Sequence, residues 1–117
     1  MGHDCQQYEA KFSIKPHLEA RACEVLRKAD LNLGFSENAT LQDMFEEIGW
    51  HYEGPDSFER ADSSLHSKSD DFMDAIAPFV DSWSYVTMLD QELNIWRWFF
   101  LNGVCAKQTG RIVFGRA

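Results

Sequence analysis

Hydrophobic residues occupy both alternating sides of one predicted strand, residues 94–101. One side carries three aromatic residues: Trp96, Trp98 and Phe100. The other side carries three apolar residues around a single charge: Ile95, Phe99, Leu101 and Arg97. An antiparallel sheet with one solvated face shows polar residues on that face. This strand therefore predicts a cover on both of its faces.

Two further strands are predicted on either side of this one. Asn102 and Gly103 form the two-residue turn that favours a tight hairpin. A strand over residues 104–114 follows, in which Gly110 marks a bulge or a break. Residues 83–89 show strand-like alternation before an acidic turn. The C-terminal part of the chain therefore predicts a three-stranded antiparallel meander.

The first strand and the first helix are distinguished by a change in hydrophobic period. Four apolar residues alternate with polar ones and predict a half-buried strand: Tyr8, Ala10, Phe12 and Ile14. Pro16 then suits a first helical turn. Apolar residues recur at helical spacing as far as Ala29: Leu18, Ala22, Val25, Leu26 and Ala29. We expect a strand followed by a helix of about four turns.

A second, short helix is predicted from its capping residues. Thr40 and Asp43 have the spacing of a capping box, in which each side chain bonds the backbone of the other residue. The apolar stripe of this helix has four members: Leu41, Met44, Phe45 and Ile48. Gly49 is a suitable stop. Residues 50–53 follow as a short strand, which the Gly54-Pro55 pair ends.

Serine dominates residues 56–69, which we expect to form a long loop. The alternative is that this loop contains a strand near Phe58. Loops of this length in small domains tend to be functional or mobile. Ser69 is the expected cap of a third helix, whose first turn carries Asp70 and Asp71 next to the positive end of the helix dipole. Pro78 distorts or ends this helix.

The order of elements predicts an α+β fold with an antiparallel sheet of four to five strands and two to three helices packed on one face. The chain has 117 residues, the size of one domain. We expect a single domain over residues 1–117, with residues 1–7 flexible and residues 55–69 in the long loop. An apolar content of 44% argues against disorder.

Charge and composition exclude several classes of partner. The formal net charge of −8 opposes binding to nucleic acid and to anionic membranes, since both require clustered Lys and Arg. No apolar run approaches the ~20 residues that span a bilayer, and the N-terminal residues lack the pattern of a secretory signal. Three cysteines without metal-ligand spacing favour free thiols in a reducing compartment: Cys5, Cys23 and Cys105. These features predict a cytoplasmic protein.

Part of the chain resembles a group of bacterial proteins. The shared features are the helix end Ala77-Pro78-Phe79-Val80, then Ser84-Tyr85-Val86, and the hairpin with Trp96-Arg97-Trp98 and Asn102-Gly103. Together they resemble small stand-alone bacterial proteins that phages and mobile gene cassettes often carry. The resemblance covers about the last 45 residues, and it implies the fold and a mobile-gene origin but no chemical activity.

The motifs of the common enzyme and cofactor sites are missing from the sequence. The histidines are distant in sequence and follow no metal-ligand spacing. There is no Gly-x-Ser-x-Gly elbow and no glycine-rich phosphate loop. Cys23 and Cys105 fall at positions where a cysteine packs as a small hydrophobic residue. We therefore expect no catalytic residue, no metal and no cofactor, which favours a non-catalytic protein.

The aromatic residues of the C-terminal strands are the remaining candidates for a binding site. Helices on one side of the sheet assign Trp96, Trp98 and Phe100 to the core and leave the Arg97 side open. The candidate binding or interface residues are Arg97, Ile95, Phe99, Leu101, Trp83 and Tyr85. Arg97 offers a bidentate contact to a carboxylate or a cation–π contact to a ring. The sequence leaves open whether Arg97 is exposed or is paired with an acid such as Glu9.

Three functional hypotheses follow. The first is a binding or interaction protein of a bacterial mobile element that forms a homodimer through the open sheet face. The second is a small-molecule-binding protein or small enzyme, with its pocket between the aromatic face and the loop of residues 56–69 and with Arg97 orienting an anionic ligand. The third is an acidic inhibitor of a host nucleic-acid-binding protein.

Overall fold

The structure is a computed structural model that describes residues 5–29, 31–54, 57–60 and 67–110. It contains six strands and three α-helices in this part of the chain. In chain order these are β1 (Cys5–Lys11), α1 (Glu19–Lys28), α2 (Leu41–Glu47), β2 (Trp50–Gly54), β3 (Ser57–Arg60), α3 (Ser69–Ile76), β4 (Ser84–Asp90), β5 (Ile95–Leu101) and β6 (Val104–Gly110). A 3₁₀ turn precedes α1 at Pro16–Leu18 and another follows α3 at Ala77–Phe79. The fold is α+β, as the order of elements predicts.

The main sheet has four antiparallel strands in the order β1-β4-β5-β6. Asn102 and Gly103 join β5 to β6 with backbone φ angles of +52° and +80°. Positive values at both positions define the turn whose twist matches that of a hairpin, and the prediction for this pair is confirmed. The first strand of the chain completes the sheet because β1 pairs with β4.

Strand β5 divides its residues between two faces, as the sequence pattern predicts. Trp96, Trp98 and Phe100 are buried, whereas the residues that alternate with them are only half-buried. We call the face that carries Trp98 the inner face and the opposite one the outer face. The helices lie on the inner face. There α3 contacts β6, and its Asp70 accepts a hydrogen bond from the indole N–H of Trp98.

A second sheet, formed by β2 and β3, helps to cover the inner face. The Trp50 ring of β2 stacks on Phe58 of β3 at 5.8 Å between centroids and meets the edge of Trp98 at 5.6 Å. Phe58 also stacks on Phe12 at 4.7 Å. The structure therefore has the alternative strand near Phe58. The long loop predicted for residues 55–69 is wrong for Ser57–Arg60, which forms β3.

Helix α2 begins with the predicted capping box. The Thr40 hydroxyl accepts a hydrogen bond from the Asp43 backbone N–H at 3.2 Å, and the Asp43 carboxylate accepts one from the Thr40 backbone N–H at 3.0 Å. Leu41, Met44 and Phe45 are all buried. The local capping and the apolar stripe act together, because the cap sets where the helix begins and the stripe sets which side packs inward.

Strand β1 departs from the predicted alternation at a β-bulge. The pairing with β4 shifts between Gln7 and Glu9, so that Tyr8 is the extra residue. Phe12 is buried as predicted, but Tyr8 lies on the outer face with 58% of its surface exposed. A bulge places two consecutive side chains on the same side of the strand. The assignment of Tyr8 to the buried side is therefore wrong.

The start of α3 also differs from the prediction. Lys68 occupies the N-cap position, and no side chain caps the helix. Ser69 is the first helical residue, and its buried hydroxyl has no hydrogen-bond partner among the residues described. The serine therefore enters the core instead of bonding the first turn. Acidic residues still fill that turn, at Asp70 and Asp71, as the sequence predicts.

Several predicted boundaries meet the limits of the described residues. Residues 5–7 belong to β1, and residues 1–4 of the predicted flexible segment lie outside the described residues. The same holds for residues 55–56, for 61–66 of the predicted loop, and for 111–114 of the last predicted strand. None of the helices described is long and apolar enough to cross a membrane.

Candidate functional site

The candidate site is the outer face of the main sheet, where cross-strand pairing arranges side chains in rows. One row contains Glu9, Thr87, Arg97 and Gln108 from β1, β4, β5 and β6. The next row contains Lys11, Tyr85, Phe99 and Ala106. Beyond it lie Leu101 and its partner Val104, with Trp83 against Phe99. All six predicted binding or interface residues are therefore on this face.

The guanidinium of Arg97 lies over two aromatic rings. Its guanidinium carbon is 5.7 Å from the ring centroid of Tyr85 and 5.3 Å from that of Phe99. Its Nε donates a hydrogen bond of 2.7 Å to Oε1 of Gln108. Within residues 5–110 as far as they are described, its two terminal amino groups donate to no protein acceptor. Arg97 is thus half-buried and oriented by its neighbours, and it is not an internal ion pair with Glu9.

Glu9 is oriented by Tyr85. The Tyr85 hydroxyl donates a hydrogen bond of 2.6 Å to Oε1 of Glu9. This bond raises the pKa of Tyr85 above its ordinary value, with smaller contributions from desolvation and from the charge of Glu9, while Arg97 acts in the opposite direction. Tyr85 therefore remains a hydrogen-bond donor at neutral pH. One tyrosine side chain thus supports both a guanidinium on its ring and a carboxylate on its hydroxyl.

An open pocket of about 340 Å³ lies at the end of the outer face that carries Glu9 and Arg97. Its volume is at the lower end of the range for small-molecule sites. We call it the Arg97 pocket, defined by Tyr8, Glu9, Thr87, Ile95, Arg97 and Gln108. The second hypothesis placed the pocket against the loop of residues 56–69, but Phe58 and Glu59 of that segment belong to the second sheet and are not among the described residues that line the pocket. Strand β1 lines that side of the pocket instead.

An apolar patch occupies the other end of the outer face. It consists of Trp83, Phe99, Leu101 and Val104. Trp83 is 65% exposed and Val104 is 63% exposed, and the Trp83 ring meets the edge of Phe99 at 5.8 Å between centroids. Trp83 also has a backbone φ of +74°, which is unfavourable for a bulky residue. The backbone N–H of Trp83 donates to the Phe100 carbonyl at 2.8 Å, which holds this conformation in place.

The thiols of Cys23 and Cys105 have raised pKa values. Burial raises the pKa of Cys23, and it raises the pKa of Cys105 to about 12, with added repulsion from the carboxylates of Asp74 and Asp70. Only the thiolate attacks, so these raised pKa values disfavour a nucleophilic role for Cys23 and Cys105. Both pack against the core, as expected from their sequence positions. Among the residues described, no three His, Cys, Asp or Glu side chains converge in a way that would hold a metal ion.

Sequence reasoning did not include Tyr8 and Gln108 in the site. Gln108 pairs directly with Arg97 across β5 and β6, and a fixed hairpin register at Asn102-Gly103 would have indicated this contact. Tyr8 reaches the pocket because of the bulge, for which the sequence shows no glycine or other local signal. Glu9 was considered only as a direct partner of Arg97, and it contacts Arg97 indirectly through Tyr85.

Comparison with known proteins adds no relative. No family model, no curated protein and no solved structure matches the chain. The class that the fold defines is a small α+β protein whose antiparallel sheet carries aromatic, apolar and charged side chains on its outer face. Its function is inferred from the geometry of that face.

Proposed function

We propose that this protein is a non-catalytic interaction protein that forms a homodimer through the apolar patch on its outer face. The observation that carries the proposal is Trp83, which is 65% exposed beside Phe99, Leu101 and Val104. Apolar surface of this kind is stabilised when a partner removes it from water. Trp83 also has a positive φ angle, an unfavourable backbone conformation that holds its ring in an exposed position.

The charge distribution favours a second copy of the chain as the partner. The chain has a net charge of −8, but the patch contains no acidic residue. The nearest ionisable side chains in the adjoining rows include the cations Lys11 and Arg97. Two copies that meet at this patch therefore avoid the repulsion between their acidic surfaces. A two-fold axis through the patch buries the same residues on both copies and closes the assembly at two.

Light scattering during gel filtration tests this proposal over a series of protein concentrations. The unmodified chain should have the mass of a dimer, and Phe99→Glu should have the mass of a monomer because a charge in the interface centre is costly to bury. Leu93→Glu is the matched control, since Leu93 is also exposed, at 67%, but lies in the turn before β5. The control should remain a dimer.

The proposal is wrong if the unmodified chain stays a monomer throughout. It is also wrong if Phe99→Glu, with the circular dichroism of the unmodified chain, remains a dimer. A mobile-gene origin and a cytoplasmic location stay predictions. So does the acidic-inhibitor hypothesis, for which capture of a basic bacterial protein should weaken as salt rises.

A further inference from the structure

We propose that the Arg97 pocket binds a zwitterion of the size of an amino acid, with the ligand's carboxylate on Arg97 and its ammonium on Glu9. This site adjoins the apolar patch, whose Phe99 ring lies under Arg97, but none of the patch residues lines the pocket and the proposal does not depend on the homodimer. The two charged groups of the pocket have opposite signs, are held by neighbouring side chains, and do not neutralise each other directly.

Arg97 is arranged to bind a carboxylate. The Gln108 side chain fixes its Nε, and the rings of Tyr85 and Phe99 support the plane of its guanidinium. Its terminal amino groups form the planar fork that binds both oxygens of a carboxylate. Because the side chain is already ordered by these contacts, less conformational entropy is lost when a ligand binds.

Glu9 is arranged to bind a cation. One of its carboxylate oxygens accepts the hydrogen bond from Tyr85, and this leaves the second oxygen for a ligand. The bulge places Tyr8 next to Glu9 on the same face, where its exposed ring forms a wall of the pocket. An ammonium group between this ring and the carboxylate would gain both an ionic and a cation–π contact.

The spacing of the two groups selects a ligand that carries both charges. Glu9 and Arg97 are separated by Thr87 in the same row, which puts their backbones about 10 Å apart across three strands. Thr87 also lines the pocket. A simple anion at Arg97 would meet the field of Glu9, and a simple cation at Glu9 would meet the field of Arg97. A zwitterion satisfies both groups at once.

The test is a titration of the labelled protein by two-dimensional amide NMR with glycine, β-alanine and 4-aminobutanoate. At least one of the three should give saturable shifts at residues 87, 97 and 108. Acetate and ethylammonium should bind at least tenfold more weakly, since each satisfies only one side of the pocket. Arg97→Gln and Glu9→Gln should each weaken the best ligand at least tenfold.

Matched controls separate the pocket from general charge effects. Lys11→Gln removes a cation from the next row of the same face, and Glu53→Gln removes an exposed acid from β2. Both should leave the affinity unchanged within twofold. Phe99→Glu should abolish the dimer, but it also removes the ring that lies under Arg97. Leu101→Glu changes a residue outside the pocket and is therefore the better monomeric background.

The proposal is overturned if none of the three zwitterions saturates the shifts by about 10 mM. Acetate binding as tightly as the best zwitterion would overturn it as well, because the site would then be a plain anion site. Light scattering on the same samples distinguishes the two proposals. If Arg97→Gln and Glu9→Gln dissociate the dimer and no ligand binds, the two charged side chains belong to the dimer interface and the pocket proposal is wrong. If the unmodified chain is a monomer and a zwitterion binds, only the homodimer proposal is wrong.

Discussion

The indole Nε1 of Trp98 donates a hydrogen bond of 2.7 Å to Oδ1 of Asp70. It connects the centre of β5 to the first turn of α3 and satisfies the one polar atom of a buried tryptophan. The other carboxylate oxygen of Asp70 accepts from Lys107 at 3.2 Å, but that pair is half-exposed and contributes little. Asp70 therefore has a structural role beyond its favourable position in the helix dipole.

Replacing Asp70 with alanine should lower the free energy of unfolding by about 1–3 kcal/mol, because the buried Trp98 N–H loses its acceptor. Asp71→Ala is the matched control, since Asp71 is an exposed acid in the same helical turn. It should cost less than about 1 kcal/mol, the size of a helix-dipole effect. Urea unfolding followed by tryptophan fluorescence measures both. Equal losses in the two variants would contradict the role assigned to the Trp98 bond.

Alanine at Phe100 and at Phe99 should have very different effects. Phe100 is 0% exposed on the inner face, and its removal should cost about 3–5 kcal/mol through lost burial and a cavity. Phe99 is half-buried on the outer face, and its removal should cost about 1 kcal/mol in the monomer. Chemical unfolding of the two variants compares the losses, at a protein concentration where light scattering gives the mass of a monomer. A larger loss for Phe99 would reverse the assignment of the two faces.

The contrast between these phenylalanines shows what the sequence can predict. Alternation along β5 assigns Phe100 and Phe99 to opposite faces, because a strand has a side-chain period of two. The capping box of Thr40 and Asp43 is likewise local, so a few residues determine it. These features depend on neighbours in sequence, and the structure confirms them.

Other features depend on contacts between distant residues and could not be predicted in this way. Tyr8 leaves the buried side because β1 pairs with β4, about eighty positions later, through a bulge. Ser69 is drawn into the core by tertiary packing, which outweighs its preference for a capping position. The Arg97 pocket combines residues from β1, β4, β5 and β6, so it becomes visible only when the strand order is known.

Substituting alanine for Gly103 should destabilise the β5–β6 hairpin. Gly103 has a φ of +80°, which costs a residue with a Cβ about 1–2 kcal/mol. There is ordinary contact space for the added carbon, 3.6 Å from the Cα of Pro78, so the loss comes from the backbone conformation. Thermal unfolding of Gly103→Ala and Gly103→Asn measures it. Asparagine should recover part of the loss, because it tolerates positive φ better than alanine; no difference between the two would argue against backbone strain.

The thiol of Cys105 should resist modification until high pH. Burial and the nearby carboxylates raise its pKa in the folded chain to about 12 from 9.0, so the folded state favours the protonated thiol. The resulting contribution to stability is fully present below about pH 9 and is lost as pH rises towards 12. In a variant with Cys5→Ser and Cys23→Ser, a thiol reagent at pH 8 should react at least a hundredfold more slowly with the folded than with the unfolded protein, because the thiolate fraction is about a thousandfold lower. Similar rates would show that the thiol is not shielded.

The bulge at Tyr8 has a further consequence for how this molecule could be altered. Gln7 and Ala10 keep their inward positions on either side of it, opposite Met88 and Val86, so the extra residue contributes only to the outer face. Substitutions at Tyr8 and Glu9 can therefore change the shape and charge of the pocket while the packing beneath the sheet stays the same. The outer surface at this position can therefore be redesigned separately from foldability.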